Sequence, residues 1–273
     1  MFYREAGSMA APVLLLLHGF PTSSHMYRNF IPLLASRYRV IAPDLPGFGS
    51  TTALQRGAYA YTFGNLYRAV LSFVDGLNLR RFAMMVFDYG APVGFRLAAA
   101  YPRRISAIIS QNGNVYEEGL VEETLRPMRA YWDHPTKANR DRLSGFLTAA
   151  ATRFQYTHGV PDSKLELLSP DAMAHDQSII DRDPELQLDL FADYKTNIAL
   201  YSRWQEYLRV ERPPVLAVWG NGDPFFGPAG AYAFQRDVPE AEVHLFDTGH
   251  FALETDGPEI AELTRDFLDR KGA

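Results

Sequence analysis

Six short apolar runs, each closed by a turn rich in Gly, Pro, Asp or Asn, constrain this chain more than any other feature. They occupy residues 13–17, 39–42, 82–86, 105–109, 215–219 and 242–246. Runs of this length, apolar at consecutive positions, read as strands buried on both faces rather than strands with one wetted face. Helix-like patterns fill the intervals at residues 26–34, 61–77, 92–101 and 259–268. Strands alternating with helices predict an α/β fold, a mostly parallel, doubly wound sheet covered on both sides.

The alternation lapses between residues 112 and 212. There the chain carries charged, helix-prone stretches at 121–132, 137–146 and 185–207 and no convincing strand. It re-enters the sheet through Arg212-Pro213-Pro214, a rigid segment that cannot continue a helix. The expected organisation is a core of residues 1–111 and 213–273 with a helical lid, residues 112–212, inserted in it. A chain of 273 residues can bury roughly three quarters of its surface, enough for such a capped unit.

Composition removes several function classes. A net charge of −5 without a basic block argues against nucleic-acid binding. The absence of cysteine excludes disulfides, thiolate nucleophiles and zinc ribbons. No His/Asp/Glu cluster has metal-ligand spacing, so neither metal nor cofactor is expected. The apolar run at residues 9–17 is about half the ~20 residues needed to span a bilayer. It ends in His18-Gly19-Phe20-Pro21 rather than a signal-peptide cleavage site, so no membrane association is expected. A cytoplasmic monomer or homodimer is the working expectation.

Open parallel sheets bind ligands beyond the carboxyl ends of their strands, so the strand-end turns are where chemistry is sought. Val86-Phe87-Asp88-Tyr89-Gly90 lies between an apolar run and an apolar helix, and would present Asp88 on a sharp turn. Alone, Asp88 reads better as a helix N-cap than as a functional residue. His18-Gly19-Phe20-Pro21 follows the first run; the main-chain N–H groups of Phe20 and Tyr89 could together form an oxyanion hole. Asp223, before Pro224, is an ordinary turn residue on its own. His250, in Asp247-Thr248-Gly249-His250-Phe251, is one of seven histidines.

Taken together, the order Asp88, Asp223, His250, each at a strand end, resembles the nucleophile–acid–histidine order of the α/β-hydrolases. Pro43-Asp44-Leu45-Pro46-Gly47-Phe48-Gly49 is also typical of that family, with Asp44 in a structural place. Because aspartate stands where an esterase has serine, the chain is similar to the branch containing epoxide hydrolases and haloalkane dehalogenases. The resemblance implies that Asp88 is the nucleophile, Asp223 the acid and His250 the base, with no cofactor. A carboxylate suits attack on saturated carbon, forming an alkyl-enzyme ester that water then hydrolyses.

The leaving atom separates the substrate classes. Epoxide hydrolases of this branch use two lid tyrosines; Asp193-Tyr194-Lys195-Thr196-Asn197 resembles the segment bearing the second, making Tyr194 the candidate. Met128 falls where the first would lie, and Tyr131, three residues on along a helical face, is the substitute considered. The tryptophan that haloalkane dehalogenases commonly place after the nucleophile is replaced by Tyr89. The two arginines of fluoroacetate dehalogenases are replaced by Tyr89 and Pro92. His18-Gly19-Phe20-Pro21 is similar to the HGxP signature of epoxide hydrolases.

Hydrolysis of a small apolar epoxide is therefore the leading expectation. A dehalogenase of haloalkanes or haloacids, and a non-catalytic binding protein, are the alternatives. Two departures accompany it: Phe87 replaces a frequent histidine, and Phe2-Tyr3-Arg4-Glu5 corresponds to the second strand of relatives. The latter implies a shorter sheet edge or a start site upstream.

Overall fold

The structure, a computed structural model, describes residues 1–272. One sheet contains β1 (Tyr3–Ala6), β2 (Val13–Leu17), β3 (Arg39–Pro43), β4 (Phe82–Phe87), β5 (Ile105–Gln111), β6 (Val215–Gly220) and β7 (Glu242–Phe246). Their order is β1-β3-β2-β4-β5-β6-β7. The six apolar runs are the six parallel strands. The N-terminal segment adds an antiparallel edge, with Tyr3 opposite Pro43 and Ala6 opposite Val40.

Alternation along each strand sorts the apolar side chains onto two faces. Leu15, Leu17, Met84, Val86 and Ile108 belong to one buried cluster. Leu14, Leu16, Met85, Phe87 and Ile109 belong to the other. On the first face pack α2 (Phe63–Gly76), α3 (Gly90–Ala100) and α11 (Pro228–Asp237), through residues such as Leu66, Phe95 and Phe234. On the second pack the single turn α1 (Ile31–Leu34) and α12 (Ala252–Lys271), through Leu34, Ile260 and Phe267. Each fully buried Leu, Ile or Phe contributes roughly 1.5–3 kcal/mol, so this two-sided burial is the main favourable term in holding the sheet.

Between β5 and β6 lie α4 (Glu122–Asp133), α5 (Lys137–Leu143), α6 (Ala149–Thr157), α7 (Pro170–Arg182), α8 (Pro184–Asp193), α9 (Lys195–Ile198) and α10 (Tyr201–Glu211). No strand interrupts them among the described residues. Met128 on α4, Gln155 on α6 and Phe191 on α8 share a cavity with Asp88 and Tyr89, so this segment covers the carboxyl end of β4.

Helix boundaries differ from the periodicity in several places. The stretch at 26–34 is a 3₁₀ turn (Ser24–Tyr27) followed by α1, because Pro32 in the first turn of α1 lacks the N–H to continue an upstream helix. Residues 185–207 are three helices rather than one. The C-terminal helix begins seven residues early (252 against 259), crossing Pro258 with a kink at Asp256, where φ is −123°.

The turn after β4 is tight because α3 starts directly against β2. A Cβ at Gly90 would strike the Leu17 carbonyl, and one at Gly94 would lie 2.6 Å from Val86 Cγ1. The first clash is with backbone and cannot be relieved by a rotamer change. Gly90→Ala is therefore expected to destabilise the fold by about 2–3 kcal/mol, read as a lower urea midpoint at unchanged m-value. An unchanged midpoint would show that α3 does not need this close approach.

Candidate active site

Asp88 ends β4 with φ of +46°, a left-handed conformation uncommon outside glycine. This turns its carboxyl away from the strand, and the side chain is 8% exposed. Phe20 N–H donates to Oδ1 at 2.6 Å, and Tyr89 N–H also reaches the carboxylate. Gly19 makes room: a Cβ there would collide with Asp88 Oδ1 and sit 2.6 Å from Tyr89 N. His18 fixes the loop from behind. Its Nε2 accepts from Leu45 N–H at 2.9 Å, so its Nδ1 carries the proton and donates to the Gly19 carbonyl at 3.0 Å. Asp44 accepts from the amides of Ser24 and Ser50, each at 2.7 Å, as a structural anchor of the neighbouring loops.

At the end of β6, Asp223 Oδ2 accepts from His250 Nδ1 at 2.7 Å. His250 is 1% exposed, and rings of Phe87, Phe225 and Phe251 surround it at 4.6, 5.2 and 5.3 Å. Asp223 is fully engaged: Oδ1 accepts from the amides of Phe225 (2.7 Å) and Phe226 (3.1 Å), and Oδ2 also accepts from Asn112 Nδ2 (2.7 Å). Asn112 Oδ1 in turn accepts from Gly220 N–H (2.9 Å) and Gln111 Nε2 (2.8 Å), while Gln111 Nε2 also reaches the His250 carbonyl (3.0 Å). Buried charge is tolerated here because donors replace the lost water.

The electrostatics follow from this layout. Burial pushes the Asp88 carboxyl up to about 6, against the opposing pull of His250 and of the two amides. Burial alone would lower His250. The Asp223 carboxylate, its hydrogen bond and the charge of Asp88 outweigh that and leave the imidazole raised above its ordinary 6.5. Asp88 and His250 thus feel one another directly. Nδ1 is committed to Asp223, which leaves Nε2 as the nitrogen able to take a proton.

Above Asp88 lies a small cavity of about 50 Å³, walled chiefly by Phe20, Tyr89, Met128, Phe191, Phe225 and Tyr194. Tyr194 is buried and lies 6.0 Å, ring to ring, from Tyr89; it stacks on Trp132 at 6.4 Å and 5°. Its hydroxyl faces that of Tyr201. Asn114 Nδ2 approaches the Tyr201 hydroxyl at 3.4 Å. Burial raises both tyrosines, so both hydroxyls stay protonated and able to donate at neutral pH. Tyr131 is placed elsewhere: it does not line the cavity but faces the Arg140 guanidinium. Met128, at the position where a first lid tyrosine was sought, is the residue on the wall.

Among the predicted residues, then, Asp88, Phe20, Tyr89 and Tyr194 meet at one cavity, Asp223 and His250 meet beside it, and Tyr131 stands apart. Sequence reasoning missed Asn112, Gln111 and Tyr201. Gln111-Asn112-Gly113-Asn114 is itself a polar strand-end turn after β5, the same signal used for the other turns; Tyr201 is one of fifteen tyrosines with no distinguishing context. Among the described residues no group of three or more His, Cys, Asp or Glu could hold a metal ion. Nor is any helix long and apolar enough to cross a membrane.

Comparison with known proteins fits this geometry. The sequence pattern of the family described as alpha/beta hydrolase fold matches residues 12–257. An uncharacterized hydrolase of Saccharomyces cerevisiae, YNR064C, is 46% identical over 267 residues, covering 96% of this chain and 91% of the relative. A haloalkane dehalogenase of Mycobacterium marinum is 31% identical over 271 residues, covering 96% and 86%. Among solved structures, DbjA superposes with a TM-score of 0.78 at 22% identity, covering 99% of this chain and 94% of that one. The haloalkane dehalogenase DbeA-M1 loop variant of Bradyrhizobium elkanii gives 0.76 at 21%, covering 99% and 93%. These two share the fold.

The His250–Asp223 coupling can be measured without substrate. Asp223→Asn removes the charge and the hydrogen bond that hold the imidazole up, leaving Asp88 alone to oppose burial, which pushes it down. In an NMR titration the His250 midpoint should therefore fall. A His250 that titrates as in the parent protein would refute the pairing.

Proposed function

We propose that this chain, which belongs to the alpha/beta hydrolase family in the branch that includes haloalkane dehalogenases, hydrolyses small epoxides through an aspartyl ester. Residues 112–212 act as a cap over a core of residues 1–111 and 213–273. The observation that carries the epoxide reading is the Tyr194 hydroxyl, protonated and on the wall of the cavity that contains Asp88.

An Asp88 carboxylate oxygen attacks the less hindered oxirane carbon, and the C–O bond of the ring breaks. The alkoxide takes the hydroxyl proton of Tyr194, whose hydroxyl turns from Tyr201 to the substrate. Tyr201 stays beside the resulting phenolate as a donor. In the second half-reaction His250 Nε2 takes a proton from water as the water oxygen attacks the carbonyl carbon of the ester. The tetrahedral oxyanion is held by the N–H groups of Phe20 and Tyr89, which already bind the carboxylate in the resting site. Donors so placed contribute roughly 3–4 kcal/mol each in comparable sites. Collapse expels the diol oxygen, which takes the proton from His250. The new Asp88 carboxylic acid then returns a proton to Tyr194. Asp223, held by Asn112 and two amides, keeps the imidazole in register throughout.

Hydrolytic dehalogenation is the second reading, favoured by the curated relative at 31% identity. It asks for N–H donors aimed at a halide. The cavity wall has no tryptophan or asparagine, and Trp132 Nε1 is already bonded to the Phe191 carbonyl at 2.9 Å.

Mass spectrometry tests the shared mechanism. His250→Gln incubated with 1,2-epoxybutane should carry a covalent adduct on Asp88, and Asp88→Asn should carry none. An unmodified His250→Gln would overturn the ester. Turnover of 1,2-epoxybutane against 1-bromobutane separates the readings: diol without bromide is expected, and bromide alone would install the second reading. Tyr194→Phe should slow ester formation from the epoxide by about 100-fold.

The two half-reactions should also differ in pH dependence. The Asp88 carboxyl is charged above about 6, so ester formation is lost as pH falls through that value. Ester hydrolysis needs neutral His250, whose raised pKa places the loss higher, above 6.5. Between the two, wild-type protein should accumulate ester in rapid-quench experiments. Coincident pH profiles would contradict this assignment.

A further inference from the structure

Most polar groups on the cavity wall already have partners. Thr124 Oγ1 donates to the carbonyls of Val121 (2.9 Å) and Pro224 (2.8 Å), Asp88 is held by two amides, and the Tyr194 hydroxyl faces that of Tyr201. The Tyr89 hydroxyl is sealed in protein without a partner. Gln155 differs. It lies on α6, 3% exposed, between Phe154 and Tyr156, and its side chain lines the cavity. Its amide makes no hydrogen bond to another protein group, yet it is not among the sealed orphan atoms found elsewhere, and the residue it belongs to lines the cavity. It is the one carboxamide on a wall otherwise made chiefly of Phe, Tyr, Leu and Met.

A buried amide with neither water nor a protein group to bond costs stability, and a Leu or Met of similar size would not. We infer that Gln155 is a specificity-determining residue that hydrogen-bonds a polar oxygen on the substrate, so that the preferred epoxides carry a hydroxyl or carbonyl a short distance from the ring. The inference names the substrate class of the site proposed above and rests on that assignment of the cavity. Recognition and chemistry are nonetheless separable, because Gln155 belongs to α6 and Asp88 to the end of β4.

Glycidol and 1,2-epoxybutane provide the test, since they differ only in a terminal hydroxyl against a methyl. Binding is read apart from turnover, in Asp88→Asn, by titration of tryptophan fluorescence; Trp132 stacks on the cavity residue Tyr194. Glycidol should bind about tenfold tighter than 1,2-epoxybutane, and Asp88→Asn/Gln155→Met should erase that ratio, a change of about 1.4 kcal/mol. Gln155→Asn, which keeps a polar side chain but withdraws the amide by one methylene, should lose the same preference. That guards against a folding defect in the Met variant. An equal ratio in parent and variants, or no preference in the parent, would overturn the assignment of Gln155. Diol formation by wild-type protein is scored separately. A glycidol preference that depends on Gln155, with no diol from either epoxide, would sink epoxide hydrolysis and leave Gln155 standing; diol with no dependence on Gln155 would do the reverse.

Discussion

Everything in this site depends on keeping one carboxylate charged where water has been removed. Asp88 sits at the carboxyl end of a strand buried on both faces, under a segment that supplies Phe, Met and Leu to the space above it. Burial alone drives its pKa up and favours the neutral acid. The Phe20 and Tyr89 amides and the nearby imidazole hold the rise to about 6. Each compensation imposes a further condition on the fold. The Phe20 amide requires a glycine at position 19, and the sharp turn requires a left-handed Asp88 and a glycine at position 90. The fold around the turn is therefore shaped by where donors must stand, as well as by apolar packing.

Much of this was legible because strands buried on both sides, as five of the six parallel strands are, leave a plain signature; β7, at the sheet edge, is only partly buried, contrary to the expectation for residues 242–246. All six parallel strands lie within about two residues of their apolar runs, and the turns that follow them carry Asp88, Asp223 and His250. Helices were less legible where tertiary contacts or proline overrode periodicity. Tyr27 and Leu34 both pack in the same core, yet Pro32 forbids one continuous helix through them. The beginnings of α7 and α11 were in fact written locally, as Ser169-Pro170 and Gly227-Pro228, a capping position followed by proline at the first helical residue.

The lid side chains were the least legible for a physical reason. A residue at a strand end is aimed by the strand, whereas a residue on a lid helix is aimed by whatever the helix packs against. Met128 and Tyr131 are three positions apart on α4 and nominally share a face, but only Met128 reaches the cavity, while Tyr131 meets Arg140 on neighbouring α5. The Arg140 guanidinium is itself held by Glu185 (2.7 Å) and Asp189 (2.9 Å) from α8. A charge network between α4, α5 and α8 thus accompanies the choice of which side of α4 faces the cavity, and spacing within one helix could not reveal it.

The same reasoning bears on why the acid of the pair is so heavily bonded. Asp223 accepts four hydrogen bonds, so its carboxylate is fixed in place on both oxygens. A carboxylate so held can orient the Nδ1 proton and balance charge on the imidazole. Asn112 contributes one of those bonds while reading the Gly220 amide with its other end, so the acid's position is tied to the last residue of β6. His250 then points with the rigidity of the sheet, not of the loop that carries it. That is the useful consequence of building this network at strand ends: the side chains that meet beside the cavity are aimed by the sheet and not by the loops alone.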